Sequence, residues 1–115
     1  MGSRESDPRA ELVCVPTAIP SSERAQHFAL ARHLFHELTE ERQDLPNGYA
    51  WRFRASHLDA LARFVTNERK CCPFINFELT IAAADGPLWL RLMGPTGTRE
   101  MLQAELELPG SCGCG

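Results

Sequence analysis

At 115 residues the chain is sized for one small domain, and its 43% hydrophobic and 23% charged content is ordinary for a globular protein. The formal net charge is -3 and Arg and Lys are scattered among acidic residues, which argues against a nucleic-acid partner. No run approaches the ~20 apolar residues of a membrane-spanning helix, so no membrane role is expected.

Residues 1–10 are polar and lack the apolar stretch of a signal peptide, so a flexible tail and a cytoplasmic protein are expected. The domain is expected over 11–108. Leu12-Val13-Cys14-Val15 is a β-prone run closed by Pro16 and Pro20. Ser21 or Ser22 can cap a helix over about 21–43, with Phe28, Ala31, Leu34, Phe35 and Leu38 as its apolar stripe. Leu45-Pro46-Asn47-Gly48 has turn chemistry: proline sets φ and Asn-Gly tolerates positive φ. Tyr49, Trp51 and Phe53 alternate with smaller or charged residues, the pattern of a strand with one buried face.

Ser56 with Asp59 resembles a capping box for a second helix, which carries Leu58, Leu61, Phe64 and Val65 to about Cys72. Phe77, Leu79 and Ile81 mark a third strand, and Leu88, Leu90 and Leu92 a fourth. Asp85-Gly86 is the turn between them. Trp51, Trp89, Phe74 and Phe77 are read as core. Thr98 can cap a last helix through Met101, Leu102 and Leu106. Residues 109–115 end the chain as a Gly-rich Cys-Gly-Cys tail, expected to be flexible. The order β-α-β-α-β-β-α predicts an α+β domain, a mostly antiparallel sheet with two to three helices on one face.

The chemistry concentrates in cysteine. There are five: Cys14, Cys71, Cys72, Cys112 and Cys114. An odd count without an export signal argues for reduced thiols rather than a disulfide framework. Cys71 and Cys72 stand where Pro73 must stop the second helix, because proline disfavours helical geometry in the residue before it. Glu68 lies one turn earlier, within reach of either sulfur. Cys72 continues the apolar stripe from Val65, whereas Cys71 falls about 100° away, beside Arg69 and Lys70 in sequence.

A thiol pair beside a carboxylate suits two chemistries. One is soft-metal capture, with Cys71 and Cys72 as ligands, Cys14 as a third brought in by the fold, and Cys112 and Cys114 as a collecting arm. The other is thiolate catalysis, with Cys71 or Cys72 as nucleophile and Glu68 as base. Carbonyls at a helix C-terminus favour a cation over a thiolate, which tilts the balance to metal. His27, His33, His36 and His57 lack zinc-motif spacing and give only a weak histidine site.

The segment Glu68 to Phe77, Glu-Arg-Lys-Cys-Cys-Pro-Phe-Ile-Asn-Phe, is followed by a hairpin ending in Trp-Leu-Arg-Leu and by Gly-Pro-Thr-Gly. It resembles a group of small bacterial proteins with a Glu-x-x-Cys-Cys-Pro-Phe-x-x-Phe signature. Members also tend to carry a cysteine near the start of the domain, as Cys14 does here. The resemblance covers roughly residues 11–108 and omits the Cys-Gly-Cys tail. The group is often associated with mercury and other heavy-metal resistance. It implies soft-metal handling with Glu68, Cys71 and Cys72 as the matching positions. Hg(II) is then the favoured ion, with Zn(II), Cu(I) or As(III) as alternatives and a small thiol carrier as partner. A looser likeness, in logic and not in sequence, is to mercury enzymes that pair cysteines with a carboxylate to cleave a carbon–mercury bond.

Overall fold

The computed structural model describes residues 12–108. The expected α+β class holds: four antiparallel strands with helices packed on one face. Chain order is α1 (Ser21–Arg32), β1 (Glu41–Leu45), β2 (Gly48–Phe53), α2 (Leu58–Cys71), β3 (Asn76–Ile81), β4 (Leu88–Met93) and α3 (Thr98–Glu105). The sheet order is β1-β2-β4-β3. Tyr49 pairs with Leu92, Trp51 with Leu90 and Phe53 with Leu88, and all six are buried. Residues opposite each other in a ladder share a face, so these pairs build the floor on which the helices pack. Trp89 falls on the other face, only half-buried, and not in the core as expected. At Gly48 a Cβ would meet the Leu92 carbonyl, so only glycine lets β2 approach β4 there.

Three expectations need correction. Leu12–Val15 is not a strand of the sheet; its backbone instead pairs with the end of α2. The first helix does not run to 43. Its last turn widens over His33–Leu38, and Thr39 turns extended, its hydroxyl donating to Leu34 O at 3.0 Å. The charged residues after it form β1, because a hairpin about Pro46-Asn47 brings them against β2. Arg52 then pairs with Glu40 at 3.2 Å and Glu41 at 3.4 Å, and Arg42 lies over the Tyr49 ring. Tertiary pairing overrides helix propensity here.

The turn residues also differ from expectation. Positive φ falls on Ala84 and Asp85 in the β3–β4 hairpin, not on Gly86, and Asn47 does not use it. None of the three helices has a side-chain cap at its start. Before α3 the left-handed residue is Gly97, at φ 99°.

The expected stripe of the first helix holds at Ala31, Leu34 and Phe35 and departs at one position, Phe28. His27, Ala31, Leu34 and Phe35 point inward, while Phe28 is 36% exposed. A buried histidine thus stands where a phenylalanine was expected. Its ring stacks on Phe64, with centroids 5.4 Å apart.

Candidate metal centre

Helix α2 ends where Pro73 requires. The last helical residue is Cys71, and Cys72 adopts φ -122° and ψ 79°. The segment before α1 is tied to that end: Val15 N–H donates to Cys71 O at 2.7 Å. Ile19 is fully buried, and Arg24 of α1 donates to the carbonyls of Pro16 and Ile19, both at 3.0 Å. These anchors carry Cys14 onto the cysteine pair.

Cys14 and Cys72 are joined as a disulfide, with Cα atoms 4.4 Å apart. The expectation of thiols throughout is corrected at this pair. A count of cysteines cannot register a tertiary approach between residues 58 apart in sequence. Cys71 remains a free thiol, its sulfur 3.7 Å from Cys72 Sγ. It is fully buried, as Cys72 is, although helical spacing placed it off the core stripe. The Cys14 segment covers that side of α2. Cys14 itself is half-buried. Cys112 and Cys114 lie outside the described residues.

Glu68 reaches the site as its spacing requires, with Oε2 at 3.5 Å from Cys72 Sγ. The fold adds groups that no spacing rule could find. Glu105 of α3 places Oε2 3.5 Å from Cys72 Sγ. His27 Nε2 lies 2.8 Å from Glu68 Oε1, both side chains buried. The free ring atom, Nδ1, has no hydrogen-bond partner among the described residues. Leaving a lone pair there is cheaper than stranding an N–H, so Nε2–H is the donor to Glu68. His36 Nε2–H donates to Leu106 O at 2.9 Å and pins the end of α3 in place. A cavity of about 100 Å³ lined by Phe28, Ala31, Arg32, Glu68 and Glu105 reaches the carboxyl pair from outside.

Burial controls the charges. It raises the Glu68 carboxyl to about 7, with a hydrogen bond from Glu105 working the other way. Glu105 is raised to about 8 by burial and by the neighbouring Glu68. Burial and the closeness of the two acids thus both favour a proton shared between them. Cys71 is pushed up to about 12 by burial first and then by both carboxylates, against a smaller backbone contribution from Val15. His27 is lowered by burial, partly offset by Glu105, and so is neutral.

Linkage gives these shifts a sign. Acids with raised folded pKa values bind more protons folded than unfolded, so their contribution is present below about 4.5 and is lost as pH rises through about 7 to about 8. His27, with a lowered folded value, works the opposite way below its ordinary 6.5. The interval from about pH 6.5 to about pH 8 therefore isolates the carboxyl pair. Melting temperature of the metal-free disulfide form is expected to fall across that interval, and Glu105→Gln to flatten the fall. A flat or rising profile in the parent protein would contradict the shared proton.

Ligand atoms of Cys14, Cys71, Cys72 and Glu105 all lie within 4.8 Å of one another. Two thiolates on one ion stand at most ~4.6 Å apart, given metal–sulfur bonds of about 2.3 Å. The four residues can therefore hold a metal ion with little movement once the disulfide is reduced. No protein-family model matches the chain, and no curated protein or solved structure matches it.

Proposed function

We propose that the reduced chain binds a soft, thiophilic ion, Hg(II) foremost, through Cys14, Cys71 and Cys72, in metal resistance or trafficking. The observation that carries this reading is the mutual approach of three sulfurs and the Glu105 carboxylate within 4.8 Å. The signature around Cys71-Cys72 points the same way. Softness follows from the donors, since three sulfurs outnumber one oxygen. A thiol raised to about 12 is a poor nucleophile at neutral pH, yet a thiophilic ion can displace its proton. That contrast places binding ahead of thiolate catalysis.

Reduction is the condition for uptake, because a disulfide sulfur is not a thiolate. Equilibrium dialysis against a small thiol carrier checks this. With Cys112 and Cys114 replaced by serine, so that the terminal thiols take no part, the reduced chain is expected to keep one Hg(II) and the disulfide form to keep none; equal retention by both would refute the assignment.

One observation supports a catalytic second reading. The Glu68 and Glu105 carboxyls each place an oxygen 3.5 Å from Cys72 Sγ, and burial favours their protonated forms. That places a proton where an organomercurial held by the thiols would release its carbon, the carbon–mercury bond giving way to a carbon–hydrogen bond. Glu68→Gln separates the readings. Under binding alone, Hg(II) affinity should change only modestly, because the thiolates hold the ion. Organomercurial cleavage present in the parent and lost in the variant, with affinity intact, would decide for catalysis.

A further inference from the structure

Helix α3 meets the sulfur cluster with two side chains of opposite chemical character. Met101 and Glu105 are four residues apart and so share a face of the helix. That face meets the cluster at both positions. Met101 Sδ lies 3.7 Å from Cys14 Sγ, and Glu105 Oε2 lies 3.5 Å from Cys72 Sγ. Met101 is half-buried and packs against the edge of the core. A methionine in such a place is ordinarily a flexible gap-filler. Here its sulfur abuts the most accessible sulfur of the cluster. The 3.7 Å separation is inside the ~4.6 Å open to two sulfurs on one ion, so Met101 and Cys14 are close enough to share one.

We propose that Met101 is a thioether ligand for soft ions, and that α3 sorts metals at this site by offering a thioether and a carboxylate side by side. The proposal rests on the reading that the reduced thiols hold a metal. A neutral, polarizable thioether supports a soft monovalent ion such as Cu(I) and adds little to a borderline one. A carboxylate oxygen serves Zn(II) well and Cu(I) poorly. With the thiolates common to both ions, the donor that completes the site differs: Met101 for Cu(I), Glu105 for Zn(II). Hg(II) is held so strongly by two thiolates that it reports the thioether poorly, and Cu(I) is the better probe.

The test is a crossed comparison on the fully reduced protein with Cys112 and Cys114 replaced by serine, so that the terminal thiols do not compete. Met101→Leu keeps the apolar volume and removes the sulfur. Glu105→Gln keeps the shape and removes the charge. Cu(I) and Zn(II) affinities are measured by competition with chromophoric chelators. Met101→Leu is expected to weaken Cu(I) roughly tenfold, the scale of losing a supporting group at a metal site, and to leave Zn(II) within about twofold. Glu105→Gln should do the reverse. Unchanged Cu(I) affinity in Met101→Leu overturns the proposal while leaving the metal-binding reading in place. A parent protein that takes up neither ion removes both.

X-ray absorption on the Cu(I)-loaded, selenomethionine-labelled protein gives a readout that does not depend on a variant's folding. A copper–selenium scattering shell is expected from the parent and should vanish in Met101→Leu. No such shell in the parent overturns the proposal.

Discussion

In a chain whose Cys112 and Cys114 are serine, replacing Cys71 and Cys72 together with serine should abolish high-affinity Hg(II) binding, with a loss of roughly a thousandfold or more, about 4 kcal/mol. Serine keeps nearly the size of cysteine and loses the soft donor. The double variant leaves Cys14 as the single thiol of the cluster, next to carboxylates that suit harder ions. Both replaced side chains are fully buried, so the new hydroxyls need partners. The Glu68 and Glu105 oxygens 3.5 Å from Cys72 Sγ can accept from a hydroxyl at position 72, which limits the cost to the fold. Competition with a small thiol, read beside a circular dichroism spectrum, checks the outcome. A folded double variant that holds Hg(II) as tightly as the parent would remove the cysteine pair from the account.

Reduction of the Cys14–Cys72 bond should lower the melting temperature markedly, and Hg(II) should restore much of the loss. The bond closes a loop across a sequence separation of 58. Freeing such a loop in the unfolded chain costs the native state about 4 kcal/mol in the chain-entropy account. For a domain of this size that corresponds to a fall on the order of 15 °C. An ion shared by Cys14 and Cys72 closes the same loop, and its binding adds to stability by mass action. Melts of the oxidised, reduced and reduced Hg(II)-loaded forms should therefore rank with the reduced metal-free form lowest. Cys14→Ser should melt near the reduced parent and regain less with Hg(II). Coincident melts of oxidised and reduced protein would contradict the structural role of the bond.

What the sequence made legible was local. Pro73 set the end of α2 at the cysteines, and the four-residue spacing of Glu68 and Cys72 put carboxylate and sulfur together. Alternation located β2, β3 and β4, and the buried faces of β2 and β4; on β3, Phe77 and Leu79 are only half-buried and Ile81 is exposed. β1 was hidden because its residues are charged and its partner, across a two-residue turn, decides its state. His27 was hidden behind Phe28, since helical spacing alone does not favour one over the other. The hydrogen bond to Glu68, 41 residues away, holds the histidine inward. Glu105 and Met101 carry no motif and reach the site only because the fold brings α3 to the sulfurs at the end of α2, where His36 holds the end of α3. The approach of Cys14 depends on a single backbone hydrogen bond from Val15 and on the Ile19 anchor, neither of which leaves a periodic trace.

Native mass spectrometry of the fully reduced protein, titrated with Hg(II) in the presence of a competing small thiol and repeated with Zn(II), Cu(I) and As(III), tests the central claim most directly. With Cys112 and Cys114 replaced by serine, the account predicts one Hg(II) per chain, retained against the competitor, and a mass gain of one mercury less the protons displaced from the thiols that hold it. Uptake confined to Zn(II), or no stoichiometric uptake of any of the four, would contradict it.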